Sequence, residues 1–250
     1  MAEIKENSIN PRKVEDLIKE LTSPNISDLE KFSEAFPEEI LEFSEIFSKT
    51  YIKYIELERI VERSSNDTQG VSQENCVLFF TLQFIQNLFS STKLLLSGYQ
   101  LASGNLLRQV IEGMAITILC SLKCNIKRKV NNKKFIEFNY YRDFKADKEY
   151  ARSHKAVSLL SINKDISGVT EYGEQIIKLF KDHGNQYSHP NFRNTLLLIP
   201  KESFGNKMFF GNYFDPERIQ DYKDELFIRI ILCEKLPDLI DKLSNNIKLI

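Results

Sequence analysis

The chain has 250 residues, 42% of them hydrophobic, enough to bury a sizeable core in one large domain or in one domain with an added layer. No apolar run of about 18 residues is free of charge, which argues against a membrane-spanning helix, and the opening MAEIKENSINPRK lacks the apolar core of a signal peptide, so a cytoplasmic bacterial-type protein is expected. A net charge of −1 excludes a uniformly basic nucleic-acid binder.

The charge is unevenly distributed. Residues 1–100 carry 10 Lys/Arg and 17 Asp/Glu, a balance of −7. Residues 101–190 carry 15 and 9, a balance of +6, and the last 60 carry nine of each. A local basic face is therefore expected mid-chain. Cys76, Cys120, Cys124 and Cys233 lack the paired CxxC spacing of a zinc site. All four read as reduced packing residues, with Cys120 and Cys124 one helical turn apart in an apolar run.

Asn10-Pro11 opens a short helix whose apolar positions are Val14, Leu17, Ile18 and Leu21. Ser23-Pro24-Asn25 breaks it, and Ser27 with Glu30 forms a capping-box pattern for the next helix. Phe36-Pro37 starts a long helix with an apolar stripe of Ile40, Phe43, Phe47, Tyr51, Tyr54 and Ile60/Val61. Its acidic residues, among them Glu38, Glu42 and Glu45, read as a solvated face. The linker SSNDTQG at 64–70 divides an N-terminal helical layer, 1–70, from the main bundle, 71–250. A phenylalanine-rich helix follows at 72–97, with Gly98 as its cap.

The next stretch, LASGNLLRQVIEGMAITILCSLKC at 101–124, is apolar on nearly every side, as a buried central helix is. The short connection makes it the antiparallel neighbour of 72–97. Arg108 and Glu112, the charges in its middle, share one helical face. They read either as a buried polar strut or as part of an active-site floor.

Residues 123–134 hold six basic residues and no acid, expected as a helix end and a solvated loop. Another helix is expected over 132–160, interleaving Tyr140, Tyr141, Arg142, Tyr150 and Arg152. Aromatics among cations suit single-stranded nucleic acid, where bases stack and phosphates pair. Lys127, Arg128, Lys129, Arg142 and Arg152 are the candidate nucleic-acid contacts. A loop is expected at 161–170 and a helix over 171–189, ended by His189-Pro190. Two strands around Phe204-Gly205-Asn206 predict a small hairpin at 195–213. Asp215-Pro216 caps the last long helix, which Pro237 kinks or restarts.

The segment DHGNQYSHP, 182–190, puts Lys181, Asn185 and His189 on one helical face. A histidine titrating near neutrality can move protons to and from a reacting oxygen. The same residues could instead tie the helix end to the following loop. No GxGxxG, P-loop, HExxH, EF-hand or GxSxG pattern occurs, and three histidines without carboxylates at ligand spacing predict no metal site.

GYQLASGNLLRQVIEGMAITILC, then a helix ending HGNQYSHP, then a short hairpin containing GNYFD resemble a group of bacterial helical proteins similar to the HEPN superfamily, over roughly residues 72–235. That resemblance implies a helical bundle, often dimeric, and a metal-independent ribonuclease of toxin–antitoxin or antiviral systems. The family motif is arginine, a polar residue, three variable residues and histidine. Asn185 and His189 match the polar and histidine positions, and Gly184 stands where the arginine belongs. Arg108 is the candidate to supply that cation from the neighbouring helix.

The expectation is thus a mostly α protein, a helical bundle with an N-terminal layer and one hairpin, forming a homodimer and needing no cofactor. As a ribonuclease it would use His189 as acid or base, Asn185 for positioning and Arg108, held by Glu112, to steady charge on RNA. The alternative is a non-catalytic interaction or sensor module, an antitoxin or adaptor with a protein partner.

Overall fold

The structure, a computed structural model, describes residues 13–15, 18, 26–64, 72–131, 134–168 and 213–248. Val14, Glu15 and Ile18 are helical and exposed. Then come α1 (Ile26–Ala35), α2 (Pro37–Ser64), α3 (Gln73–Leu95), α4 (Gln100–Ser121), β1 (Ile126–Asn131) and β2 (Lys134–Phe138). They are followed by α5 (Tyr140–Lys145), a 3₁₀ turn (Glu149–Ala151), α6 (Ser153–Ile162), α7 (Lys164–Ser167), a second 3₁₀ turn (Pro216–Arg218) and α8 (Ile219–Lys248). The fold is a mostly helical bundle with one small antiparallel hairpin among the described residues. No described helix is long and apolar enough to cross a membrane.

Ser72 caps α3 by accepting from the Asn75 amide at 3.1 Å. Gly98, with φ of 80°, turns the chain into α4. Contacts then fix the helix directions. Ser91 faces Ser103, Phe84 faces Gly113 and Cys76 faces Cys120, so α3 and α4 are antiparallel. Between α2 and α8 the pairs are Glu39 with Lys223, Thr50 with Cys233 and Lys53 with Asp241; both numbers rise together, so these helices are parallel. Arg229 with Ser103 and Asn246 with Ser121 make α8 parallel to α4 as well. Three helices therefore run one way and α3 the other.

One core joins Phe43, Leu57 and Val61 of α2 to Phe84 and Leu88 of α3, Leu107 and Leu119 of α4, and Leu232, Leu236 and Ile240 of α8. Each such side chain contributes about 1.5–3 kcal/mol by leaving water. A second cluster packs Phe32 and Phe36 against Leu95, Tyr222 and Leu226. Asp215 caps the turn into α8 by accepting from the Glu217 amide, with Pro216 following, as its dipeptide predicts.

α8 runs through Pro237 as one helix. Proline cannot donate to the carbonyl four residues back, here that of Cys233. The buried Thr50 hydroxyl reaches that oxygen at 3.4 Å while also reaching Ile46 O at 3.1 Å. A side chain from α2 thus approaches the carbonyl that the helix leaves open.

Three expectations are corrected. The basic stretch after α4 is a β-hairpin, with Ile126 opposite Phe138 and Arg128 opposite Ile136. Lysines every few residues mask a period-two pattern in which Ile126 and Phe138 face the core. The single helix over 132–160 is instead β2, α5, a 3₁₀ turn and α6, divided at Asp147, whose φ is 49°; the loop expected after it contains α7. Cys124 is exposed beyond the end of α4, whereas Cys76, Cys120 and Cys233 are buried free thiols. The linker beyond residue 64, the helix over 171–189 and the hairpin at 195–213 lie outside the described residues.

Candidate functional site

A cleft of about 610 Å³ opens between the α3–α4 pair and the segment from α5 to α6. Helical spacing selects its floor. Phe80, Gln83 and Asn87 follow at three- and four-residue steps on α3, and Gln109, Glu112, Gly113 and Ile116 do so on α4. The other side of each helix carries core residues such as Val77, Leu88, Leu107 and Val110. The facing wall is Phe144, Asp147, Arg152, Ser153 and His154. Phe80 and Phe144 meet edge to face, centroids 5.4 Å apart, and close the apolar end.

The left-handed Asp147 turns its carboxylate back toward Arg152. The Arg152 guanidinium donates to Asp147 Oδ1 at 3.1 Å and Oδ2 at 3.2 Å. Both groups are exposed, so the pair orients Arg152 more than it stabilises the fold. α6 begins beside it without a side-chain cap or an acid in its first turn.

Arg108 Nε donates to Glu112 Oε1 at 2.9 Å, the predicted pairing. Neither partner is fully buried: their side chains are 31% and 19% exposed. The fully buried strut expected here is therefore corrected to a partly solvated pair, with Glu112 at the cleft floor. Gly113, beside Glu112, lets Phe84 approach closely, since an added Cβ would lie 3.1 Å from Phe84 Cβ.

The basic candidates divide. The Lys127 and Lys129 side chains are exposed on β1. Asn163 fastens this strand, accepting from the Lys127 amide at 2.7 Å and donating to its carbonyl at 2.8 Å. The Arg128 guanidinium stacks 3.9 Å over the Tyr150 ring, while its buried Nε has no hydrogen-bond partner among the described residues. Tyr150 donates to Asp143 Oδ2 at 2.8 Å, and Arg142 Nε donates to Asp143 Oδ1 at 2.9 Å. Burial pushes the Asp143 carboxyl up, but the bonds from Arg142 and Tyr150 and the charges of Arg142 and Lys148 outweigh it and hold it below the ordinary value. The bond to Asp143, followed by burial, pushes the Tyr150 phenol up. Arg142 and Arg152 thus lie on the 140–152 segment, part of which walls the cleft, and Arg128 of β1 stacks on its Tyr150.

Asn185 and His189 lie outside the described residues, as does Gly184. His154, Gln83, Asn87, Gln109 and Asp147 were not singled out from the sequence. The local signal was there for the amides: Gln83 and Asn87 stand four apart on one face of a phenylalanine-rich helix, and Gln109 stands three before Glu112. His154 had none, since only the break at Asp147 turns it toward α3 and α4. Among the described residues no group of three or more His, Cys, Asp or Glu could hold a metal ion. Compared with protein-family models, with curated proteins and with solved structures, the chain matches none of them.

Proposed function

We propose that this chain is a HEPN-like RNA-binding protein of bacterial defence or toxin–antitoxin type that holds single-stranded RNA along β1 and the cleft and cleaves it without a metal. The observation that carries the reading is the Arg128–Tyr150 stack, which joins the basic hairpin to the wall holding Arg152 and His154. Residues 123–155 contain 11 Lys/Arg and four Asp/Glu. Cations beside aromatic rings hold phosphates and stack bases without sequence preference.

In the proposed step the ribose 2′-oxygen attacks the adjacent phosphorus, and the 5′-oxygen leaves with a proton. The products are a 2′,3′-cyclic phosphate and a 5′-hydroxyl. An imidazole moves the proton, and a guanidinium steadies the phosphorane charge. His189, with Asn185 to position it and Arg108 as cation, is one assignment. His154 with Arg152 is the other, and it has the two groups on one cleft wall. Homodimer formation belongs to the same proposal; Phe79 and Phe89 of α3 are about half exposed.

A second reading, a non-catalytic interaction or sensor module, is favoured by Gly184 in place of the motif arginine and by the engagement of Arg142 and Arg152 with Asp143 and Asp147. Incubating single-stranded RNA with the protein in EDTA separates them. Cleavage to cyclic-phosphate ends that is lost in His189→Ala or His154→Ala supports the enzyme and assigns its imidazole. Binding without cleavage supports the second reading.

A further inference from the structure

α3 and α4 meet along a seam of small residues. The Ser91 and Ser103 hydroxyls donate to each other's backbone carbonyls at 2.9 and 2.7 Å, which requires close backbones. Phe84 against Gly113 continues the seam. At its end Cys76, in the first turn of α3, faces Cys120, in the last turn of α4, with the sulfurs 3.9 Å apart. Gln73 already clips these two ends, donating to Cys120 O at 2.6 Å and to Leu122 O at 3.2 Å. A disulfide needs Cβ atoms about 3.5–4.5 Å apart and sulfurs at about 2.05 Å. The sulfurs, at 3.9 Å, must approach by about 1.9 Å to bond.

The two thiols are not equivalent. Cys76 is 7% exposed and Cys120 fully buried. A helix N-terminus favours the thiolate of Cys76. In the dithiol the Cys76 S–H donates to Cys120 Sγ; when Cys76 ionises the bond reverses, and with the positive charge of Lys145 it outweighs burial and holds the Cys76 thiol below its ordinary value. The same hydrogen bond and its own burial push Cys120 up. Cys76 is the nucleophile of the pair and Cys120 the resolving thiol.

We propose that Cys76 and Cys120 form a redox-modification site, a dithiol that hydrogen peroxide converts to a disulfide joining the first turn of α3 to the last turn of α4. The Cys76 thiolate attacks one peroxide oxygen; an S–O bond forms, the O–O bond breaks and the departing hydroxide takes a proton to become water. The Cys120 sulfur then attacks the Cys76 sulfenic sulfur. The S–S bond forms, the S–O bond breaks, and the hydroxide leaves as water with the proton from Cys120. Two thiols lose one electron each and the peroxide gains two. Cys76 stands four residues before Phe80, and Cys120 four after Ile116, so the clamp forms one helical turn along α3 and α4 from these cleft-floor residues. In reducing compartments a transient disulfide of this kind acts in redox sensing.

The test uses full-length Cys124→Ser protein, which lacks the exposed thiol. It is treated with hydrogen peroxide, then denatured, alkylated and mapped by mass spectrometry. The expected result is a linked Cys76–Cys120 peptide two hydrogens lighter than the separate pair. Cys233 should stay alkylated, and dithiothreitol should restore both thiols. In Cys120→Ser protein, Cys76 should stop at the sulfenic acid and be trapped by dimedone. The native pair supplies the main readout, so a variant that folds poorly does not decide it. Cys76 and Cys120 both alkylated after peroxide, or Cys76 driven to sulfinic acid with no linked peptide in the Cys124→Ser protein, overturns the proposal.

Discussion

Arg229 donates to Glu225 Oε2 at 2.7 Å with its own side chain 0% exposed and that of Glu225 7% exposed. The guanidinium also donates to Glu225 O, Ser91 Oγ and Ser103 Oγ, so one cation ties α8 to both helices of the α3–α4 pair. A buried charge is tolerable when it is paired and its remaining donors are satisfied. Removing one member leaves the other without compensation. Glu225→Ala should therefore cost about 3–5 kcal/mol, while Glu112→Ala, whose pair is partly solvated, should cost no more than about 1 kcal/mol. Urea unfolding followed by circular dichroism measures both. Equal costs would mean that the load-sharing between the two pairs differs from their burial.

Asn163 should matter more to the hairpin than its place after α6 suggests. Its amide also donates to Leu159 O at 2.8 Å, completing three bonds with those to Lys127. Asn163→Ala leaves the Lys127 amide and carbonyl without these partners, a loss of about 1–3 kcal/mol. Hydrogen exchange at the Lys127 amide should speed up by more than at amides in the core of α4.

The contrast between the two ion pairs shows what a single sequence reveals. Arg108 and Glu112 were legible as a pair because four-residue spacing on a helix is local. Glu225 and Arg229 have the same spacing, but their burial depends on Ser91 and Ser103, more than 120 residues away in the chain. The central helix was legible from its all-round apolar character, and the cap at Asp215-Pro216 from its dipeptide. The β1–β2 hairpin was hidden because its solvent-facing positions are lysine-rich, which reads as loop, and because Val130, Phe135 and Ile136 fit either period over so short a span. The cleft was only half legible. Glu112 and Arg152 were marked for their charge, whereas His154 joins them only through the turn at Asp147.

Acid should loosen the segment that forms the cleft wall. The folded Asp143 carboxyl lies below its unfolded value, so its stabilisation is present above the ordinary Asp range and is lost as pH falls through the folded value. Protonation releases Arg142 and Tyr150 together. Tyrosine fluorescence followed downward from pH 6 should show a transition below about pH 4 in wild type. Asp143→Asn protein should lack that step and should already show the released state at neutral pH.

RNA retention should depend on the joined hairpin and cleft rather than on net charge. Arg128→Ala removes the stack on Tyr150, and Arg152→Ala removes the cation beside His154. Lys248→Ala, at the end of α8, removes the same charge far along the chain. The first two variants should each weaken RNA binding and the third should not, measured by gel shift at one salt concentration.

The most direct measurement is the salt dependence of binding between a fluorescent single-stranded RNA and the protein, by anisotropy, for wild type and for the Arg128→Ala/Arg152→Ala double variant. Each phosphate contact contributes about 0.7 to the slope of log affinity against log salt for a single strand. Wild type should bind with a negative slope, and the double variant should bind more weakly with a slope shallower by about 1.4, two contacts' worth. Absence of binding by wild type at low salt, or a double variant with unchanged affinity and slope, would contradict the assignment of this surface to RNA.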